Sequence, residues 1–305
     1  MRVFDCFIYN DEDIVYERIR LLGDVVSIFY IVEGSHTFQG DLKPAQFDMG
    51  QVPEKYREKI KYSIVDLSFA VSGLDAWEVE TCQRNALMGV LDLADENDLI
   101  LISDVDEIPR PSLLRQANTI KPSVLSMWSC YFYIDYVCET HMFWNKAIAL
   151  NKKFLTILGP EASFEGLRKG YYDRKLGRIN RAGWHFSYLG GVDTIYKKLM
   201  VFSHTELNSF KDVSRIEYER KIENGVDIFD RVYTWGRMNR LPREYEELNL
   251  KDGSVFVRSP KSTTAVRYRF VVWAHLRNAF KLIQASVRYT RFQKAAERKD
   301  VPGLN

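Results

Sequence analysis

Residues 99–111 read LILISDVDEIPRP, an apolar run that closes on Asp104, Asp106 and Glu107 before Pro109 ends the segment. Side chains alternate along an extended chain, so Asp104 and Asp106 fall on one side of it. Two carboxylates a few ångströms apart repel each other unless a cation lies between them. Mg2+ or Mn2+ suits such hard oxygen ligands, and commonly keeps waters and bridges to phosphates. The chemistry expected is therefore a divalent cation held against an anionic ligand, for which a nucleotide diphosphate is the natural choice. The plain alternative is a solvated acidic turn ahead of a proline.

The elements around the motif favour a site. RVFDCFIYN reads as a strand, DEDIVYERIRLLGD as a helix, and VVSIFYIVEG as a strand covered on both faces. YSIVDLS is a third strand and DLILISD a fourth. Between them DAWEVETCQRNALMGVLDLAD reads as a helix, with Asp75 and Glu78 at capping-box spacing and Trp77, Val79, Cys82, Ala86, Leu87, Val90 and Leu91 as its apolar stripe. This alternation predicts a doubly wound, mostly parallel α/β sheet flanked by helices, whose ligands bind beyond the carboxyl ends of the strands. Asp104 and Asp106 lie there. In the second half, SVLSMWSCYFYIDYV and KAIALNKKFLTIL suggest strands, and DTIYKKLMVFSH and DVSRIEYERKIENG suggest helices. The simplest division is one domain over 1–255 and a basic helical C-terminal extension over 256–305 packed on it.

Composition sets outer limits. The 305 residues carry 43 basic and 41 acidic side chains, a net charge of +2, so no global field points to nucleic acid. No signal peptide and no run of about 18 apolar residues is visible, so no transmembrane segment is expected and the expected location is cytoplasmic. Cys6, Cys82, Cys130 and Cys138 show no CxxC spacing and read as reduced thiols, with a Cys130–Cys138 disulfide as the alternative. Residues 265–299 hold nine Lys/Arg and one Glu interleaved with apolar residues. That pattern fits either a helix packed on the domain or peripheral contact with an anionic membrane.

Three blocks of the chain resemble glycosyltransferase family 17, whose best-known members are β-1,4-mannosyl-glycoprotein β-1,4-N-acetylglucosaminyltransferases. The first is residues 3–44, with Asp13, Arg18, Glu33, Thr37, Gly40 and Pro44 in the family's positions. The second is residues 80–111, with Arg84 and the DVDEIP core. The third is residues 181–206, with Gly183, Trp184, His185, Ser187 and Lys198. Animal members carry an N-terminal membrane anchor, whereas this chain starts directly on the first strand, as expected of a soluble, microbial or viral relative.

The resemblance implies a GT-A fold, a UDP-sugar donor (GlcNAc, xylose, glucose or galactose), a glycan hydroxyl as acceptor and inversion at the anomeric carbon. It implies Asp106 as a direct metal ligand. Asp104 would reach the metal through water or hold the ribose, and Glu107 would support the site from behind or orient the loop. His185 would complete the metal site unless it is a core histidine, and Trp184 would stack on sugar or base unless it is core. Asn10, Asp11 and Asp13 would bind base and ribose. Arg84 would reach base or phosphate, or else pair with Glu80 on its helix. Lys198 and Arg168, and more weakly Lys146, would neutralise the diphosphate. The general base would come from Glu165, Glu161, Asp135 or Glu33. Two other classes compete: a nucleotidyltransferase using the same acidic strand end, and a non-catalytic glycan-binding protein.

Overall fold

The computed structural model describes residues 1–69, 75–201, 205–231, 233–238 and 240–248. The C-terminal extension expected over 256–305 lies outside them. The described residues fall into two compact units, 1–213 with 236–248, and 214–235.

The first unit is built on a curled, mixed sheet. β1 (Val3–Tyr9), β2 (Ile28–Gly34), β3 (Ile60–Val65) and β4 (Leu99–Asp104) pair in parallel in the order β4-β1-β2-β3. β5 (Glu107–Pro109), β6 (Ser123–Tyr131), β7 (Tyr136–Cys138), β8 (Phe143–Leu150) and β9 (Gly177–Ser187) extend it. β4/β8, β6/β8, β6/β7 and β5/β9 are antiparallel, and β6/β9 is parallel. The sheet is therefore mixed, not mostly parallel. The first half is strand–helix–strand, which imposes parallel pairing. A short connection joins β6 to β7 and permits only reversal, and β8, on the other side of β6, also runs against it.

Helices cover both faces. β1 is buried along its whole length and alternates: Val3, Phe7 and Tyr9 enter one core, Phe4, Cys6 and Ile8 the other. α1 (Ile14–Leu22) packs in the first core through Val15, Ile19 and Leu22. α2 (Ala76–Ala86), α4 (Lys152–Leu158) and α5 (Phe164–Arg168) supply the second through Val79, Leu155 and Phe164. α3 (Pro111–Leu114) follows β5, and α6 (Val192–Val201) follows β9. The face that α2 buries is Ala76, Val79, Gln83 and Arg84, whereas Trp77 and Cys82 lie on its exposed side. The expected stripe is thus shifted, because two polar residues occupy the buried face for reasons hydrophobic periodicity does not encode. KAIALNKKFLTIL is half strand and half helix, broken at Asn151, whose side chain caps α4 by accepting from Phe154 N. All four cysteines are free thiols.

The second unit holds α7 (Arg215–Glu223), capped by Ser214, and a turn around buried Asp227, which pairs with Arg231 at 2.8 Å. No helix among the described residues is long and apolar enough to cross a membrane.

Candidate active site

The site begins where β4 ends. Asp5 on β1 and Arg18 on α1 are completely buried and joined by two hydrogen bonds of 2.8 and 2.5 Å. The same guanidinium donates to the carbonyls of Asp104, Val105 and Glu107 at 2.8, 3.1 and 2.8 Å, and to Ser103 Oγ at 2.7 Å. A buried guanidinium has five donors to satisfy, and here the loop's backbone supplies three of the acceptors. Arg18 thereby sets the path of residues 104–107.

Across the loop β5 runs against β9, with Glu107 opposite His185 and Pro109 opposite Gly183. A Cβ at position 183 would stand 2.1 Å from the Ile108 carbonyl oxygen, so only glycine permits this approach. Close contact of the two strands is what carries His185 to the acidic loop.

Asp104 faces α2 and α5. Its Oδ1 accepts from Arg84 at 2.6 Å and its Oδ2 from Arg168 at 2.5 Å. Arg84 also pairs with Glu80 at 2.5 Å and with Glu165 at 2.6 Å, while Arg168 pairs with Glu107 at 2.6 Å. Glu107 is fully buried and further accepts from the backbone N–H of Asp104 at 2.9 Å and from Trp144 Nε1 at 2.5 Å. Burial alone would raise the Asp104 carboxyl, but the charges of Arg168 and Arg84 outweigh it and hold it well below the usual carboxylate range.

Asp106 has different company. Oδ2 accepts from Lys198 of α6 at 2.8 Å, and Oδ1 stands 3.8 Å from His185 Nε2, too far for a hydrogen bond. Burial lowers the pKa of His185 despite the nearby carboxylates of Asp106 and Glu107, so its imidazole is neutral near pH 7 and keeps a lone pair. Its ring lies on the indole of Trp144, centroids 4.3 Å apart and planes at 15°, and its Nδ1 is buried without a partner. Burial would lower Lys198, but Asp106 reverses this and holds it firmly protonated.

Beside Lys198, Glu12 accepts from Asn10 N at 2.7 Å. Burial pushes its carboxyl up to about 7 against the opposing charge of Lys198, with Asp106 adding to the rise. The Asn10 Oδ1 atom is buried and unpartnered. Asp11 sits in the left-handed region at φ 65°, and Asp13 reaches Lys197 at 4.0 Å.

The remaining expected residues are dispersed. Trp184 is fully buried in the first core against Phe186 and Tyr245; strand alternation puts it on the face of β9 opposite His185. Its core reading is the one the structure carries. Glu33 is completely buried and accepts from Lys43, Gln46 N, Phe47 N and Tyr62, so it anchors the loop after β2. Asp135 is buried and pairs with Arg237 at 3.1 Å. Glu161 is exposed in the turn before α5. Lys146 Nζ donates to the Arg168 carbonyl at 3.2 Å. Glu12 and Trp144 are the neighbours that residue spacing does not pick out. Glu12 hides inside an acidic run, and Trp144 is joined to His185 only by the β6/β8/β9 pairing.

Among the described residues no group of three or more His, Cys, Asp or Glu side chains is placed to hold a metal ion. Asp104 has both oxygens occupied by guanidinium groups. Asp106 Oδ1 and His185 Nε2, 3.8 Å apart, are a carboxylate oxygen and an imidazole nitrogen of the kinds a divalent ion takes. Two protein ligands, with waters and phosphate oxygens for the rest, is an ordinary set for Mg2+ or Mn2+.

The family model Glycosyltransferase family 17 matches residues 1–275. No curated protein matches the chain.

Proposed function

The chain belongs to glycosyltransferase family 17 and is a glycosyltransferase, and from that premise we propose that it moves a sugar from a UDP-sugar to a glycan hydroxyl with inversion, on a GT-A type scaffold. The observation that carries this reading is Asp106, with one oxygen on Lys198 and the other open towards neutral His185.

The leaving diphosphate is the group that gains charge as the sugar departs. Lys198, protonated and turned to Asp106, is placed to neutralise it. Asp106 and His185 would hold Mn2+ or Mg2+, and a cation bound there supplies Lewis-acid charge to the same oxygens. Asn10, Asp11 and Asp13 follow β1, at the carboxyl end of the parallel strands where nucleotides bind in such sheets; the open Oδ1 of Asn10 is an acceptor for a base or ribose donor. Asp104, Arg84 and Arg168 form the wall beside them. GlcNAc is the donor sugar carried from the family resemblance, with xylose, glucose and galactose as the competing donors.

An inverting transfer needs a base for the acceptor proton. Glu161 and Glu165 lie where the resemblance places it, and Glu12 joins them by its position beside Lys198 and Asp106. The base is the one whose change to Gln abolishes the rising limb of the pH–rate profile while leaving UDP affinity intact.

The reading is tested by a thermal-shift screen of nucleotide sugars with and without Mn2+. A ligand that binds only the native state raises Tm by mass action. A shift with one UDP-sugar that requires Mn2+ supports the proposal and names the donor. A shift with nucleoside triphosphates or free glycans, and with no nucleotide sugar, overturns it in favour of a nucleotidyltransferase or a glycan-binding protein.

A further inference from the structure

We propose that the indole of Trp144 is the platform on which a pyranose ring of the acceptor glycan stacks, a subsite that rests on the glycosyltransferase reading above. Trp144 opens β8 and keeps part of its surface in solvent. Its plane is fixed twice, by the His185 ring against one face and by Nε1–H donating to Glu107 at the edge. Core packing does not require this, as Trp184 shows by being wholly buried. Met142, two positions earlier in the chain, is 43% exposed.

The order of groups selects the ligand. From Lys198 to Asp106 is 2.8 Å, from Asp106 to His185 3.8 Å, and from the His185 ring to the Trp144 ring 4.3 Å. The Lys198 ammonium lies at one end, where a diphosphate is drawn. At the other, Glu107 and Arg168 at the indole edge neutralise each other, and the ring face itself is uncharged. A pyranose has one face made of C–H groups and a rim of hydroxyls, so it covers such a ring without burying a polar group. The donor sugar is bonded to the diphosphate and sits with it over Asp106 and His185. The indole stacked on that imidazole is left for the acceptor.

The test uses the full chain on a printed array of mannose-, N-acetylglucosamine- and galactose-terminated oligosaccharides, in the presence of UDP, with UDP affinity measured on the same preparations. Trp144→Ala should weaken glycan capture by about tenfold or more, as loss of an aromatic anchor does, and by a larger factor than it weakens UDP binding. Trp144→Phe keeps a flat face and loses the N–H, and should retain most of the capture. Trp144→Leu keeps bulk without a flat face, should behave as Ala does, and serves if the Ala variant does not fold. Undiminished capture by Trp144→Leu overturns the proposal. So does a Phe variant as weak as Leu, which would make the Glu107 hydrogen bond the operative feature, and so does a wild-type chain that binds UDP but no glycan. Trp144-dependent capture by a chain that ignores every nucleotide would keep the platform and remove the donor reading instead.

Discussion

Asp104 and Asp106 are two residues apart in one motif, and the fold gives them opposite surroundings. Asp104 lies between two guanidinium groups with both oxygens engaged. Asp106 is met by one ammonium group and keeps its second oxygen free of protein hydrogen bonds. The first carboxylate is a keystone: through Arg84 and Arg168 it ties α2 and α5 to Glu107 and β4. The second is the one with capacity for a ligand. A shared motif therefore does not mean a shared task. Environment divides the two roles, as it does when neighbouring carboxylates are pushed to different protonation behaviour.

The sharpest way to break this contrast is to remove each charge alone. Asp106→Asn should lower kcat at least about a hundredfold, roughly 2.7 kcal/mol of transition-state stabilisation, with the circular dichroism spectrum preserved. Asp104→Asn should act mainly on thermal stability. If steady-state assays show equal losses of kcat at equal Tm, the division of roles is wrong. Comparable in size, Arg168→Leu leaves Asp104 and the fully buried Glu107 short of a cation, and should cost about 3 kcal/mol of stability in denaturant titrations. The third effect belongs to the Asp106 side. Glu12 has a native pKa of about 7 against an ordinary value of 4.5, so the native state holds a proton that the unfolded chain has released. Its contribution is fully present below about pH 4.5 and is lost as pH rises through about 7. Glu12→Gln should remove that decline, about 2 kcal/mol after allowing for solvent screening, in melts run from pH 4.5 to 8. Smallest of all, Glu161→Ala should leave both Tm and kcat at wild-type values, because its side chain is exposed. A collapse in its turnover would move the base to that turn.

Much of the parallel half was legible, because β1, β2 and β4 are predominantly apolar runs and α1 and α2 carry recognisable ends. The antiparallel half was less so. In β9 the stretch GRINRAGWHFS begins with exposed arginines and a bend at Arg181, φ 52°, which hides the strand period until Ala182. The acidic loop was legible as a candidate site, but its internal division was not. Arg84 illustrates why: its sequence offers Glu80 as a helix partner or a ligand role, and in the fold it takes Glu80, Glu165 and Asp104 at once. Such sharing depends on which strand end meets which helix, and no local pattern records that. Glu33 is the converse: a carboxylate at a strand end suggests chemistry or structure alike, and in the fold it accepts from Lys43, Gln46 N, Phe47 N and Tyr62.

Arg18 carries a further consequence. Its guanidinium belongs to α1, yet three of its bonds go to the backbone of residues 104, 105 and 107. The N–H groups of α1 and of the acidic loop should therefore exchange with deuterium together, at the rate of one opening event, since the loop cannot keep its shape once the helix lifts. Loops that carry chemistry are commonly the first segments to fray. Here the acidic loop is tied by one fully buried side chain to α1 and β1, and loss of the loop's shape and loss of that packing become one transition.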